Sequence, residues 1–319
     1  MDIFFGSFMA MLDAMGKILL ITLLAGILVR RGIIEKQYIK GLSEITVKVL
    51  LPALTFDKVV TTFDPYNTPG WWLLPLIGFV VPVLFMAITA IFYLPHPKKH
   101  MNKFPIASLQ NVGYLVLPIG QILYPDQFDQ FAIYVFLLIL GFNIALWTIG
   151  KMLISYQAGK TEIKLAEMIT PPFVANVFAM FLVFIKVNTY VPEIILEPVS
   201  MLGSAAVPVA MFILGATLGT ISLKKLPKFS DIFKLSLVKY VLMPAFAFVV
   251  LHKTGMAQTN PLLATVLIIE ASAAPAANLI VIVQKYGGDH QQTGSLMLIM
   301  YILAVFFMPL WLALWTMWG

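Results

Sequence analysis

Residues 270–278 read Glu-Ala-Ser-Ala-Ala-Pro-Ala-Ala-Asn, with an apolar run at 262–269 before them and another at 279–283 after. In such a setting Glu270 could carry a proton or a cation, Pro275 could break a helix, and Asn278 could bond the freed backbone or a small polar ligand. An ordinary membrane helix has no use for that chemistry. Backbone polar groups inside hydrocarbon must be satisfied internally, so a break at that depth is tolerated only where protein or a water-filled cavity surrounds it. An ionisable side chain there is read first as functional.

Composition identifies the solvent. The chain of 319 residues is 60% hydrophobic and 11% charged, with a mean hydropathy of +0.92; soluble domains are roughly 45–50% apolar and about 25% charged. This is the composition of a polytopic membrane protein. The net charge of +6 does not point to nucleic acid, because the basic residues sit in short connections where they set topology. With no cysteine there is no disulfide, thiolate metal site or thiol catalysis. His96, His100, His252 and His290 read as loop positions without zinc-type spacing, and no phosphate-binding, dinucleotide or Gly-x-Ser-x-Gly motif occurs. No cofactor and no enzymatic activity are expected. Asp2 and Asp13, with no basic leader or small-residue cleavage site, argue against a removable signal peptide.

Measured against the roughly 20 residues a spanning helix needs, ten apolar segments emerge: 8–29, 40–61, 71–94, 105–124, 129–154, 168–188, 199–221, 232–252, 261–284 and 292–317. The short connections leave no room for a separate soluble domain. Basic residues gather after the odd-numbered segments, at 30–40, 98–103, 151–164, 224–234 and 285. The other side holds only Lys58, Lys186 and Lys253. That asymmetry places both termini outside the cytoplasm.

The two halves, 1–160 and 161–319, resemble each other weakly. Pro52-Ala-Leu-Thr-Phe56 parallels Pro208-Val-Ala-Met-Phe212, and Gly120-Gln-Ile-Leu-Tyr124 with Asp126 parallels Ile282-Val-Gln-Lys-Tyr286 with Asp289. Five spans per half is an odd number, so the repeat is inverted. The partner of residues 270–278 is then the fourth segment, where Gln110, Asn111, Gly113, Pro118 and Gly120 interrupt the apolar run. Interrupted helices in corresponding positions point to a midplane site. Their half-helix N-termini would turn partial positive charge on the centre, which suits an anion.

Asn111-Val-Gly-Tyr-Leu-Val-Leu-Pro118, Asn143-Ile-Ala-Leu-Trp147-Thr-Ile-Gly150, residues 208–215, and Ala274-Pro-Ala-Ala-Asn278 with Gln284-Lys-Tyr-Gly-Gly-Asp289 together resemble the auxin efflux carrier family, especially its bacterial malate and malonate permease-like members. The resemblance covers essentially the whole chain. It implies an all-α fold of ten transmembrane helices, in two inverted five-helix repeats whose broken fourth and ninth helices cross. A scaffold would form from helices 1, 2, 6 and 7 and a transport domain from the other six. It further implies an inner-membrane homodimer that moves small organic anions by an elevator-like alternation. The sequence departs from the family at Thr170-Pro171-Pro172, where many members have Asn-Pro, and at Met300-Tyr301, where a Ser-Thr pair is common.

The candidate substrate-binding residues are thus Asn111, Gly113, Pro118, Asn143, Pro275 and Asn278, with Glu270 as the coupling residue. Each has a plainer alternative. The two asparagines could cap broken helix ends, and Glu270 could sit in a buried pair. Lys239 is expected to snorkel to the headgroups, its rival role being partner to Glu270 or to a substrate carboxylate. Trp147 is expected to anchor at the interface, as are Trp311, Trp315 and Trp318. Pro52 and Pro208 would kink the scaffold or line the cavity. Asp13 with Lys17, and Glu44 with Lys48, are spaced to pair along a helix. The function expected is secondary active transport of a small organic anion, a mono- or dicarboxylate such as malate or an auxin-like acid, with protons coupled through Glu270 as the first reading and facilitated diffusion as the second. The alternative is a sodium-coupled symporter of the bile-acid type, which shares the fold but calls for a denser cluster of acidic and amide groups at the breaks.

Overall fold

A computed structural model describes residues 2–68, 70–156, 165–221, 226–286 and 290–319. Its helices, in chain order, are α1 (Asp2–Arg30), α2 (36–62), α3 (Leu73–Ile91), α4 (Phe104–Ser108), α5 (Val112–Leu123), α6 (Pro125–Tyr156), α7 (Pro171–Phe184), α8 (Glu193–Gly219), α9 (Phe229–Thr254), α10 (Pro261–Ser272), α11 (Asn278–Tyr286) and α12 (Gln291–Trp318). Six of them, α1, α3, α6, α8, α9 and α12, are long and apolar enough to cross a bilayer, and α5, α7 and α10 are shorter apolar helices. Large apolar side chains such as Leu20, Leu24, Val80 and Phe181 face outward. The chain is an integral membrane protein.

Three features depart from the hydropathy reading. α6 begins at Pro125 and α8 at Glu193, earlier than 129 and 199, because acidic residues in a first turn favour the positive end of the helix and extend it. The fourth and ninth apolar segments are each split by non-helical backbone, at 109–111 and 273–277. His252 is no loop residue: it lies in the last helical turn of α9.

Four helical turns widen to the i→i+5 pattern: Thr46–Leu50 in α2, Val112–Val116 at the start of α5, Leu146–Gly150 in α6 and Val238–Leu242 in α9. Three of them end directly before a Leu-Pro or Met-Pro pair, at Pro52, Pro118 and Pro244. Proline lacks the N–H and its ring clashes with the carbonyl four residues back. Slipping the register by one residue relieves both problems without breaking the helix.

The interior is built around α6 and α10, which are apolar on all sides and enclosed accordingly. Every residue of α10 from Leu263 to Ser272 is buried. α3 lies along α6, α1 along α8 and α12, and α2 along α7 and the first half of α8. Close approach requires glycine: a Cβ on Gly141 would meet the Pro75 carbonyl oxygen at 1.7 Å, and one on Gly78 would meet that of Leu138 at 2.1 Å. These reciprocal contacts let the α3 and α6 backbones touch, as small residues do in membrane bundles. Because neither backbone can yield without tilting a helix, Gly141→Val should destabilise the fold by about 3 kcal/mol or more. Thermal unfolding in detergent checks this, with Gly6→Val, whose Cβ meets nothing within 4 Å, as the neutral control.

Candidate functional site

Two helix breaks meet in the interior. α4 stops at Ser108, Leu109 is extended (φ −97°, ψ 125°), and α5 starts after Asn111. α10 stops at Ser272, Ala273 is extended (φ −68°, ψ 152°), and Pro275 has no N–H to continue a helix. The extended stretches run antiparallel with Gln110 opposite Pro275. The Asn111 N–H donates to the Ala274 carbonyl at 2.8 Å, and the Ala276 N–H to that of Leu109 at 3.0 Å. Each break therefore satisfies polar groups that the other has orphaned.

Tyr301 of α12 fastens the junction. Its hydroxyl donates to the Pro275 carbonyl at 2.7 Å and accepts from Asn111 Nδ2 at 2.6 Å. Asn111 Oδ1 in turn accepts the Tyr114 N–H at 3.2 Å, capping α5. Asn111 is thus a cap and a cross-link whatever else it touches.

On one side of the junction lies a cavity of about 290 Å³, lined from α2, α5, α6, α7 and α11 and by the breaks themselves. Asn111, Gly113, Asn143 and Asn278 lie on its wall. Pro118 and Pro275 do not: Pro118 is buried in the first turn after the widened segment, and Pro275 contributes its carbonyl to Tyr301. Trp147, read as an interfacial anchor, also lines the cavity, as do Thr170 and Asn176. Neither Pro52 nor Pro208 lies on the wall. No lysine, arginine or carboxylate is among the described lining residues. Instead, three helix N-termini open there: α5 at Asn111, α11 at Asn278 and α7 at Thr170, whose hydroxyl accepts the Phe173 N–H. Each such end carries roughly half a positive charge; at α7, which opens on Pro171 and Pro172, the charge comes from the dipole alone. The cavity is neutral in side chains and positive in dipoles.

The opposite side of the junction carries the ionised chemistry. α4 and α10 both end there, so their carbonyl ends contribute negative potential. Lys239, fully buried on the widened turn of α9, donates Nζ to the Leu109 carbonyl at 3.4 Å. The snorkelling expected of Lys239 is therefore incorrect. A cation at two helix C-termini compensates their dipoles, and the wide turn directs the side chain inward. Glu270, two residues before the end of α10, is buried, and its Oε2 has no hydrogen-bond partner. Glu270 and Lys239 are both buried on this side of the junction. Glu270 does not line the cavity. Gln110 spans the two sides, lying on the cavity wall while its Nε2 reaches Met243 Sδ at 2.9 Å.

Sequence reasoning passed over Asn176, and marked Tyr301 and Thr170 only as departures from the family bordering the site. Tyr301 and Thr170 stand where the chain departs from its family's usual residues, and that departure was the available signal. Asn176 is a lone amide within an apolar helix. Its Nδ2 donates to the Phe136 carbonyl at 2.8 Å and its Oδ1 is unpartnered. The helical pairs Asp13–Lys17 and Glu44–Lys48 form as spaced, at 2.6 and 3.3 Å.

Residues 10–312 match the family described as membrane transport protein. The chain belongs to this family. The motifs at the two breaks, in α6 and in α8 had pointed to the same group, the auxin efflux carriers. The chain is also 26% identical over 289 residues to an uncharacterized transporter of Methanocaldococcus jannaschii, MJ1031, a match covering 88% of this chain and 91% of that one. It is a membrane transporter by family.

Removing the Tyr301 hydroxyl would leave the Pro275 carbonyl and the Asn111 amide short of a partner in a buried place, at about 1–3 kcal/mol each. Tyr301→Phe should accordingly lower the unfolding temperature by several degrees. A melting curve in detergent superimposable on the parent's would contradict the role assigned to this hydroxyl.

Proposed function

We propose that the protein is a secondary active transporter of small organic anions, with mono- and dicarboxylates such as malate as the substrate class. The observation that carries this reading is the convergence of three helix N-termini, with the amides of Asn111, Asn143 and Asn278, on a cavity without charged side chains. Such a site attracts a carboxylate and releases it again, because no fixed cation holds it. The cavity volume of about 290 Å³ lies at the small end for ligand sites. A sodium-coupled reading is disfavoured, since a sodium site calls for clustered oxygens and, among the described residues, Glu270 is the only carboxylate beside the breaks.

In this reading the ten segments form two inverted repeats, 1–160 and 161–319, whose interrupted helices, α4–α5 and α10–α11, cross. α1, α2, α7 and α8 form the scaffold, and the remaining helices form a domain that carries the cavity across the membrane. Basic connections face the cytoplasm of a bacterial cell and both termini lie outside. Ser43, Trp147 and Thr170, near the basic ends of their helices, line the cavity, which supports an inward-facing state in this reading. At the other end Lys58 of α2 pairs with Asp129 of α6 at 2.9 Å and with Asp57 at 3.3 Å, joining scaffold to mobile domain where the outward path would open. α1 bears the Asp13–Lys17 pair near its middle, with side chains 62% and 58% exposed. Two charges facing hydrocarbon are costly, and a second copy of the chain would cover them in a homodimer.

Glu270 and Lys239 supply the coupling. Both side chains are buried where α4 and α10 end, so movement of the junction would change the surroundings in which Glu270 holds a proton. Uptake of labelled malate into proteoliposomes tests the reading: an imposed proton gradient should stimulate it, and sodium should not. Asn278→Ala should lower the rate about tenfold, and Glu270→Gln should flatten its dependence on pH. Flux of no carboxylate under any gradient would overturn the substrate class. An unchanged pH profile in Glu270→Gln would remove that residue from coupling.

A further inference from the structure

A second cavity, of about 410 Å³, shares no lining residue with the first. The connection after α3, the first turn of α9 and Gln292 at the start of α12 frame it. Lys103, Lys228 and Lys234 line it together with Lys99, and Asp231 is the one carboxylate among the described lining residues. That carboxylate is committed to the wall. Its Oδ2 accepts Lys103 Nζ at 2.7 Å and its Oδ1 accepts the Tyr93 hydroxyl at 3.0 Å. His100 Nδ1 lies 3.2 Å from Lys103 Nζ, and burial together with Lys103 holds the imidazole below its ordinary pKa. Lys103 and Lys234 approach the same Tyr93 ring, 5.5 and 4.7 Å from its centroid, which places the two ammoniums within about 10 Å of each other.

Four lysines around one hollow repel one another, and a concave wall concentrates their field. The free N–H groups in the first turn of α9, which starts at Phe229, add to it. An anion seated there relieves the repulsion. The rim tells which kind. Phe229 and Phe233, four apart on one face of α9 and each next in sequence to a lining residue, are 80% and 59% exposed, and Leu94, which follows the lining Tyr93, is also exposed. A cationic hollow bordered by outward-facing apolar side chains fits an amphiphile, in the manner of basic pockets that take lipid headgroups. We propose that this cavity binds the phosphodiester headgroup of an anionic membrane lipid, whose chains lie against Phe229 and Phe233. The site then tethers the connection after α3 to the start of α9 through the lipid.

The test follows unfolding of the purified protein in detergent by the fluorescence of its six tryptophans. Phosphatidylglycerol, phosphatidylcholine or inorganic phosphate is titrated into the parent, a Lys228→Gln/Lys234→Gln variant and a Lys48→Gln control. Phosphatidylglycerol should raise the unfolding temperature of the parent and the control by several degrees, and phosphatidylcholine should not. Apparent affinity should fall roughly fivefold per lysine removed. Should the double variant fail to fold, Lys228→Gln alone, with its exposed side chain, should show about a fivefold loss. Stabilisation by inorganic phosphate equal to that by the lipid, and lost in the variant, would assign the site to a soluble phosphate and overturn the lipid. Equal responses to phosphatidylglycerol in parent and variant, or equal responses to both lipids, would overturn the site itself.

Discussion

A peptide group without a hydrogen-bond partner inside hydrocarbon costs several kcal/mol, and two helices of this protein are interrupted in its interior. Neither interruption could persist alone. What makes them possible is that the exposed backbone of one is the partner of the other: Asn111 bonds Ala274, Ala276 bonds Leu109, and Tyr301 takes up the Pro275 carbonyl that remains. The enclosing elements follow from this pairing. α6 and α10 must be apolar all round because they shield it, and glycines at 78 and 141 let α3 close over α6.

The junction also sorts charge. Each interrupted helix has a C-terminal end entering the break and an N-terminal end leaving it, and the antiparallel pairing puts like ends together. The N-termini of α5 and α11, joined by that of α7, give the cavity its positive potential. The C-termini of α4 and α10 lie on the other side, with buried Lys239 reaching the Leu109 carbonyl and Glu270 buried near the end of α10. A cavity positive in dipoles and two buried ionisable side chains thus stand on opposite faces of one hydrogen-bonded strip of backbone. In the proposed transporter, displacing the strip would change both, and substrate movement would couple to a proton in that way.

Much of this was legible in the sequence, and what was not has physical causes. Apolar composition announced the membrane, and Asn, Gly and Pro at 110–120 and 270–278 announced the breaks, because those residue types act locally. Pro118 misled because its effect is also local: the widened turn before it absorbs the missing donor, so the proline continues a helix and stays off the wall. Lys239 and Trp147 misled for a different reason. Their depth along a helix was right, but which face they present depends on widened turns at 238–242 and 146–150 that shift the periodicity on which facing is read. The helix starts at 125 and 193 were missed because acidic first turns look polar to a hydropathy window and favourable to a helix dipole. The role of Tyr301 depends on a partner 190 residues away, which no local pattern encodes.

The central claim is that the cavity beside the junction is where the transported anion sits. Because the chain contains no cysteine, a single Val281→Cys on the cavity wall, at a position 56% exposed, gives one reporter. Its rate of reaction with a small water-soluble thiol reagent should fall as malate or another transported carboxylate is added, with half-protection at the concentration that half-saturates flux. A reaction rate unchanged by any carboxylate that the protein transports would place the substrate elsewhere and contradict the account.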